Sequence, residues 1–577
     1  MPRRTLVILA VAGLLAASGA WTRADSSSPS IAWPDNQALP HFAAPQHLDV
    51  ADVSALPGDE QLLFNTIEGV VNRTQPRIYL LWGADEGKAT WFDTLHSEFG
   101  VPVRNLSSPW RLLALYRSAL AGMIVYDPAV PDSINVATSL AGAEHAVVAS
   151  PALAAKLSAA PYRLPVTGDL RGRFHSRLDA YQWAYDHLWA PGTVTRRMLV
   201  GLPPFQSPSV HLADLGAVNI PLEPVYDSGA LPGEPFASLR DYAVAVGAMV
   251  VWLDPNEPAE RLLFEKILGD MPPDSPYLGT HPGDVAGEIT IVALLSSHSV
   301  YEVAADFFNN GSVFGGVRPT TTPAPAPPAA PALDPSKIYV TFTMSDGDNV
   351  QYDQRRLRVE WDDPARGSVP INWTISPLLI DAAPAIFDHY TRSATANDLL
   401  MAGPSGAGYS YPSSWPDATF AAFTEQTGAY MRQAGITTID VLNAPDGLRM
   451  PLTDTAVRHY IADAHPSGIM LNYNFFHECR TDNVIVAGTP VTTGCVVSSS
   501  GTARGEAQFD VSQQASRCPA GQPCFISIEF IVWNVTPADV AAVASTLAQQ
   551  QDPHRPYEFV RADQYFELVR QANGLAP

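Results

Sequence analysis

The chain has 577 residues and a net charge of −23, which is the opposite of the basic composition that nucleic acid or an anionic membrane would attract. Apolar residues make up 46% of the sequence, enough for several hydrophobic cores, and the length suggests about three domains. Nucleic acid and anionic lipid are therefore not expected partners, and nothing in the sequence fixes the oligomeric state.

The first 24 residues have the pattern of an export signal. Arg3 and Arg4 supply a positive start, residues 6–17 are an apolar stretch, and small residues follow them. A membrane-spanning helix needs about 20 apolar residues, so residues 1–24 are expected to be a cleaved signal peptide, and an uncleaved N-terminal anchor is the alternative. The expectation is a secreted or periplasmic bacterial protein without membrane association after cleavage.

Short apolar runs alternate with helix-like stretches in the region that follows. The run 77–82 and the helix-like stretch 60–72 are examples, and such alternation predicts α/β layers with mostly parallel strands. A break near residues 161–168 divides the region into two predicted lobes, 45–165 and 166–317. Neither lobe has a glycine-rich phosphate loop after a strand, so no nucleotide or other cofactor is expected.

Residues 318–336 are rich in proline. Alanine and threonine separate the prolines between Arg318 and Pro335, and a segment of this composition forms neither helix nor central strand. It is predicted to be an extended linker between the N-terminal region and a C-terminal domain at residues 337–577.

The C-terminal domain is predicted to be a (β/α)₈ barrel of the TIM type. Its strand-like runs recur with helical segments between them, a rhythm and size typical of that barrel, and an open doubly wound sheet is the alternative. The strand-like runs are 338–344, 371–375, 399–403, 438–442, 468–473, 525–533 and 557–561, with 484–487 as a weaker eighth.

A loop rich in glycine and tyrosine follows the third of these runs. Residues 406–412 read GAGYSYP, in which glycine allows unusual backbone angles or a close approach, and Pro412 fixes the exit direction. The rings of Tyr409 and Tyr411 could stack on a sugar, or they could pack the loop against its own domain.

This loop matches the signature GxGYxYP, and the chain resembles the bacterial family named after it, whose members are classed as candidate glycoside hydrolases. Residues 345–349, which read SDGDN, resemble the acidic motif of the family's C-terminal domain. Residues 72–77, which read NRTQPR, resemble a motif of its N-terminal domain. The resemblance implies a carbohydrate substrate for the C-terminal domain.

Hydrolysis of a glycosidic bond needs one carboxylic acid and one carboxylate. Asp346 and Asp348 follow the first strand at the end where barrel enzymes place their active sites, and their mutual repulsion would raise the pKa of one of them. Glu529 is a lone carboxylate in an apolar strand. These three are the predicted catalytic residues. Alternatively, the two aspartates cap backbone N–H groups in a turn, and Glu529 pairs with an arginine.

The remaining glycine, polar and aromatic residues at the strand ends and in the loop are the predicted substrate-binding residues. They are Asn349, Gly406, Gly408, Tyr409, Tyr411, Asn474, Glu478, Trp533 and Asp563.

All four cysteines lie near the C-terminus. In an exported protein an even number of clustered cysteines favours disulfides, and short loops close most readily. The predicted pairs are Cys479 with Cys495 and Cys518 with Cys524. A zinc site is the alternative, although the sequence has none of the usual ligand spacings here, and no metal is predicted.

Two other functions fit parts of the same pattern. The strand followed by Asp346-Gly347-Asp348 resembles the acidic pair of metal-dependent polysaccharide deacetylases, but the pair of histidines at i and i+4 that such enzymes use is missing. A non-catalytic glycan-binding protein would hold sugar in the same cleft without cutting it. Two carboxyl groups facing each other across a cleft distinguish the hydrolase from such a binding protein.

Overall fold

The structure is a computed structural model, and it describes residues 31–206, 233–282, 285–319, 328–445, 450–471, 480–497 and 501–575. The chain from Ile31 onwards forms one compact unit. The predicted signal peptide, residues 1–24, lies outside the described residues. Among the residues that are described, no helix is both long and apolar enough to cross a membrane.

Three small parallel sheets, with helices between their strands, make up the N-terminal region. In the first sheet the strand order is β2-β1-β3, in the second β5-β4-β6, and in the third β10-β9-β7-β8. Their strands are β1 (Leu48–Asp52), β2 (Ile78–Leu81), β3 (Val103–Asn105), β4 (Met123–Val125), β5 (Val147–Ala149), β6 (Val166–Asp169), β7 (Thr195–Gly201), β8 (Ala248–Val251), β9 (Ser275–Gly279) and β10 (Val300–Ala304).

The helices of this region connect the parallel strands, as parallel pairing requires. They are α1 (Gly58–Asn72), α2 (Thr90–Ser97), α3 (Trp110–Tyr116), α4 (Ser133–Glu144), α5 (Pro151–Ser158), α6 (Arg177–Ala184), α7 (Arg240–Val246), α8 (Pro258–Gly269), α9 (Val285–Ser297) and α10 (Gly311–Phe314).

The sequence predicts two lobes here, divided at residue 165, whereas the structure has three sheets. Strand β6 (Val166–Asp169) begins directly after that boundary and pairs with β4, so it belongs to the same sheet as strands on the other side. The break in the sequence pattern near residue 165 therefore lies within a sheet, because β6 is a short edge strand with exposed residues at three of its four positions.

The C-terminal region contains one large curled sheet. Its path runs through β16-β17-β15-β14-β13-β12-β11-β19-β18, and β20 pairs additionally with β11. The strands are β11 (Ile338–Met344), β12 (Ile371–Ile375), β13 (Asp398–Ala402), β14 (Thr438–Asp440), β15 (Gly468–Leu471), β16 (Asp482–Val486), β17 (Thr489–Thr493), β18 (Cys495–Val497), β19 (Cys524–Phe530) and β20 (Tyr557–Phe559).

Nine helices are defined among the described residues of this region. They are α11 (Val350–Gln354), α12 (Arg356–Trp361), α13 (Leu379–Ala382), α14 (Pro384–Ser393), α15 (Asp417–Ala434), α16 (Asp454–His459), α17 (Ala503–Arg517), α18 (Pro537–Gln550) and α19 (Ala562–Ala572).

The mixed α/β class is confirmed, but the complete (β/α)₈ barrel that the sequence predicts is not. The weak eighth run is one arm of an antiparallel hairpin, β16–β17. Its two-residue turn, Ala487-Gly488, has φ of 49° and 87°, the left-handed conformation that two-residue hairpins favour. Gly494 then separates β17, which pairs with β15, from β18, which pairs with β19, so this stretch connects both sides of the curled sheet.

The predicted linker is described only at its two ends, because residues 320–327 lie outside the described residues. The end that precedes β11 is in contact with the C-terminal helix. Gln564 Nε2 at the start of α19 donates a hydrogen bond to the Ala329 carbonyl at 3.1 Å. This part of the proline-rich segment is therefore held against the C-terminal region.

One of the two predicted disulfides is confirmed, between Cys518 and Cys524. It closes the turn between α17 and β19. Cys495 is also disulfide-bonded, but its predicted partner, Cys479, lies outside the described residues.

Helices α1 and α7 pack closely and bury two carboxyl groups between the first and third sheets. Glu68 and Asp241 are both fully buried, and Asn65 Nδ2 donates a hydrogen bond to Asp241 Oδ1 at 3.4 Å. Burial raises the pKa of Glu68 well above its ordinary value, and the charge of Asp241 adds to this effect. Burial raises the pKa of Asp241 from 3.8 to about 7. Below neutral pH both groups are therefore more stable protonated than charged in the folded chain.

We predict that Asp241→Asn makes the stability of the protein less dependent on pH. The unfolded chain loses the Asp241 proton near pH 3.8 and the folded chain near pH 7, so between these values the free energy of unfolding falls by about 1.4 kcal/mol per pH unit. Asparagine has no such proton. In chemical unfolding at pH 5 to 8, the free energy of unfolding of the variant should rise relative to that of the wild type as the pH rises. The control Glu425→Gln, at an exposed site on α15, should show the same pH dependence as the wild type. The prediction would be contradicted if the free energies of unfolding of Asp241→Asn and the wild type changed in parallel with pH.

Candidate active site

The GxGYxYP loop joins the C-terminal sheet to the third N-terminal sheet. It follows β13, and its backbone pairs with β10 in an isolated antiparallel bridge between Tyr409 and Glu302. Tyr409 N donates to the Glu302 carbonyl at 2.8 Å, and Glu302 N donates to the Tyr409 carbonyl at 2.9 Å. Two regions far apart in sequence are thus tied together through their backbones.

Both glycines of the signature lie where a larger residue would not fit. Gly406 has a φ of 130°, which only glycine adopts readily. A Cβ atom on Gly408 would lie 2.2 Å from Cδ2 of Tyr301 and 2.8 Å from the Glu302 carbonyl oxygen. The loop can approach β10 this closely because Gly408 has no side chain.

The two tyrosines of the signature are buried in the interface. Tyr409 Oη donates a hydrogen bond to Glu288 Oε1 at 2.8 Å, and the hydroxyl oxygens of Tyr409 and Tyr411 are 3.1 Å apart. Tyr411 N donates to Ser296 Oγ at 3.0 Å. The residues are 6% and 1% exposed, so neither ring offers a free face for stacking on a sugar in this structure. Both tyrosines hold helix α9 against the loop.

The acidic motif forms a turn at the carboxyl end of β11. Asp346 has a φ of 65°, and its carboxylate accepts hydrogen bonds from Ser345 Oγ at 2.5 Å and from the Val532 backbone N–H. Gly347 N donates to Thr374 Oγ1 at 2.9 Å. A Cβ on Gly347 would lie 2.0 Å from the Thr374 carbonyl oxygen, so the turn is pressed against the end of β12.

The carboxyl group of Asp348 lies among other acids. Asp348 is only 7% exposed. Burial raises the pKa of Asp348 well above its ordinary value, and the neighbouring charges of Asp346, Glu288 and Asp440 raise it further. For Asp346, burial raises the pKa while the two hydrogen-bond donors oppose that rise. The two aspartates of one motif therefore have different surroundings.

Two more acids, which come from the N-terminal region, lie close to Asp348. Glu288 lies in the first turn of α9, and Glu302 lies in β10, 2% exposed. Burial raises the pKa of Glu302 well above its ordinary value, with the charges of Glu288 and Asp348 adding to the effect. His281 Nε2 is 3.7 Å from Glu302 Oε1, but burial lowers the pKa of His281 to about 4. The imidazole is therefore neutral at pH 7 and does not balance the acids.

Carboxyl groups from both regions thus interact electrostatically where the two regions meet. We refer to five of them as the acid cluster, and they are Glu288, Glu302, Asp346, Asp348 and Asp440. Two further buried acids interact with its members, Asp306 with Glu302 and Asp353 with Asp348. Within the described ranges, no group of three or more histidine, cysteine, aspartate or glutamate side chains has an arrangement that could hold a metal ion.

Other predicted site residues have different surroundings. Asn349 Oδ1 accepts a hydrogen bond from Tyr352 N and caps α11. Glu529 is fully buried in β19 beside Thr343 of β11, and its predicted catalytic role stays a prediction. Trp533 is partly exposed just after β19, with its ring edge-on to Tyr352 at 5.7 Å.

Asp563 lies at the opposite end of the sheet from the acid cluster. It forms an ion pair with Arg561 at 2.7 Å, and Arg561 Nη1 donates to the carbonyl of Ala396, which precedes β13. The structure therefore does not bring Asp563 together with Asp346. Asn474 and Glu478 lie outside the described residues.

Glu288, Glu302 and Asp440 are not among the site residues predicted from the sequence. Glu288 directly precedes the mostly apolar stretch 289–295. An acid next to an apolar run is a signal comparable to that of Glu529. Glu302 and Asp440 both lie in short buried strands. Their proximity to Asp346 depends on contacts between regions that are far apart in the sequence. A local sequence pattern does not predict such contacts.

We predict that Gly408→Ala disrupts the pairing of the loop with β10. The new methyl group would overlap Tyr301 and the Glu302 carbonyl, and overpacking of this kind typically costs about 1–3 kcal/mol. Thermal unfolding should show a lower midpoint. Gly505→Ala is the matched control, since a Cβ there meets nothing within 4 Å and alanine suits the helix α17. Equal midpoints for Gly408→Ala and the wild type would show that the loop does not need the close approach.

Comparison with known proteins agrees with this architecture. Family models match residues 47–118 (GxGYxYP_N 1st domain), 120–193 (GxGYxYP_N second domain), 226–316 (GxGYxYP third domain) and 336–570 (GxGYxYP putative glycoside hydrolase C-terminal domain). A crystal structure of a putative hydrolase from Bacteroides thetaiotaomicron has a similar fold, with a TM-score of 0.76 and 20% identity over 95% of this chain and 99% of that chain. No protein with a curated description matches the chain. The chain belongs to the GxGYxYP family.

Proposed function

We propose that the protein is a glycoside hydrolase that acts on an oligo- or polysaccharide by carboxylate acid–base catalysis. The observation that carries this proposal is the acid cluster at the carboxyl end of the curled sheet, the end at which barrel enzymes bind substrate. The family description and the hydrolase of similar fold support it. Such hydrolysis needs two carboxyl groups in different protonation states.

The surroundings of the two aspartates differ in the protonation state that they favour. Asp346 is partly exposed and accepts two hydrogen bonds, which stabilise its ionised form. Asp348 is buried beside other acids, so it favours the protonated form. Asp346 is therefore the carboxylate that attacks the sugar or activates water. Asp348 keeps the cluster from accumulating negative charge.

We predict that Asp346→Asn lowers the rate of glycoside cleavage by about 10² or more, because asparagine keeps the shape but cannot act as base or nucleophile. The wild type is first screened against a panel of labelled glycans and aryl glycosides, and the variant is then compared on the substrate that is cleaved. Glu425→Gln, on the exposed face of α15, is the control and should keep full activity.

Two outcomes would contradict this assignment. Full activity of Asp346→Asn would remove Asp346 from the mechanism. Binding of glycans by the wild type without release of any product would instead favour a non-catalytic glycan-binding protein.

We also infer that the protein is exported and that the signal peptide is removed. The charged and apolar pattern of residues 1–24 supports this, and a disulfide such as Cys518–Cys524 is typical of oxidising compartments. Sequencing of the mature protein from the producing cell should find an N-terminus near Trp21 or Asp25. An intact Met1 in cytosolic protein would overturn this inference.

A further inference from the structure

Only two members of the acid cluster are open to solvent. Asp348, Glu302 and Asp440 are buried, whereas Asp346 and Glu288 are partly exposed. One of the two exposed acids comes from each side of the interface, since Asp346 follows β11 and Glu288 lies in α9. A substrate that enters between the two regions would meet these two carboxyl groups.

Glu288 is held in place by the signature loop. Its Oε1 accepts the hydrogen bond of Tyr409 Oη at 2.8 Å, and the Tyr409 hydroxyl is in turn 3.1 Å from that of Tyr411. The backbone of Tyr409 is fixed to β10 through Glu302. A carboxyl group anchored in this way keeps one orientation, as acid catalysis requires.

The buried acid Glu302 has a carboxyl oxygen without a hydrogen-bond partner among the described residues. Glu302 is 2% exposed, and the oxygen in question is Oε2. Glu302 interacts electrostatically with Glu288 and Asp348. A buried polar atom without a partner is rare in folded proteins, and the protonated form of Glu302, which carries no charge, is the less costly one to bury.

We propose that Glu288 is the proton donor of the hydrolase, facing Asp346 across the interface, and that Tyr409 is its positioning residue. This proposal rests on the proposed function. Glu288 gives its proton to the glycosidic oxygen as the bond from that oxygen to the anomeric carbon breaks, and the bonding electron pair leaves with the alcohol. Asp346 either attacks the anomeric carbon, forming a glycosyl ester whose bond to that carbon is then broken by water, or takes a proton from a water that attacks this carbon directly. One water is consumed per bond, and the proton of Glu288 is restored from water.

The protonation of Glu288 fits this role. Burial raises the pKa of Glu288 to about 7, the Tyr409 hydrogen bond opposes the rise, and the charge of Asp346 adds to it. The carboxyl group is thus protonated below neutral pH, as a general acid must be. The titratable groups that interact with it are Asp346, Asp348, Glu302, Tyr409 and Tyr411.

The test compares leaving groups. Once the panel has identified a cleaved sugar, Glu288→Gln is assayed on its phenyl glycoside, whose leaving group needs a proton, and on its 2,4-dinitrophenyl glycoside, whose leaving group does not. We expect kcat/KM to fall by about 10²–10⁴ on the phenyl glycoside and by less than about 10-fold on the dinitrophenyl glycoside, because only the first relies on acid catalysis. The control Glu425→Gln should match the wild type on both.

An equal loss on both glycosides would overturn the assignment of Glu288 and leave the proposed function intact. A wild type that cleaves no glycoside would overturn the proposed function itself, and this inference with it. The two failures are therefore distinguishable.

Tyr409→Phe provides a second test, in which the pH profile of kcat/KM is measured. A merely structural role of Tyr409 would not change the pH at which this profile falls. The Tyr409 hydrogen bond lowers the pKa of Glu288, so its removal should shift the basic limb of the pH profile of kcat/KM to higher pH. A rate that falls equally at every pH, with the limb unmoved, would contradict the positioning role of Tyr409.

Discussion

The bridge between Tyr409 and Glu302 is the contact on which the proposed site depends. Through it the loop after β13 adds to the edge strand of the third N-terminal sheet. The same contact brings α9 against the loop, and with it Glu288 to the hydroxyl of Tyr409. Without this bridge, the Asp346 turn would remain at the end of its strand, but no acid from the N-terminal region would face it. The site belongs to the interface rather than to one domain.

A second constraint is the desolvation of acids without matching bases. The acid cluster has a neutral imidazole, His281, next to Glu302, and its buried members have raised pKa values. Burying an ionised carboxylate without a partner is far more costly than burying the protonated acid. The raised pKa values of Asp348 and Glu302 favour their neutral forms, which reduces the negative charge buried beside Asp346. The α1–α7 contact follows the same rule with Glu68 and Asp241.

The sequence predicts local features well and long-range contacts poorly. The strands β11 and β12, the acidic turn after β11 and the Cys518–Cys524 bridge were all readable, because hydrophobic runs, turn residues and short loop closure are local properties. The hairpin β16–β17 was not, since its strands are short, partly exposed and joined by only two residues. Glu288 was not selected either, because Tyr409 is 121 residues away from it in the sequence.

The signature itself has a different meaning in the structure from the one that its residue types suggest. Glycine and tyrosine in a loop at a strand end are typical of a sugar platform, yet here Gly408 makes room for Tyr301, and both tyrosines face α9. The loop holds a carboxyl group that another domain supplies, since the Tyr409 hydroxyl donates to Glu288 and lowers its pKa. In this chain, therefore, the GxGYxYP residues support the contact between the two regions, and the proposed reacting groups, Asp346 and Glu288, come from either side of it.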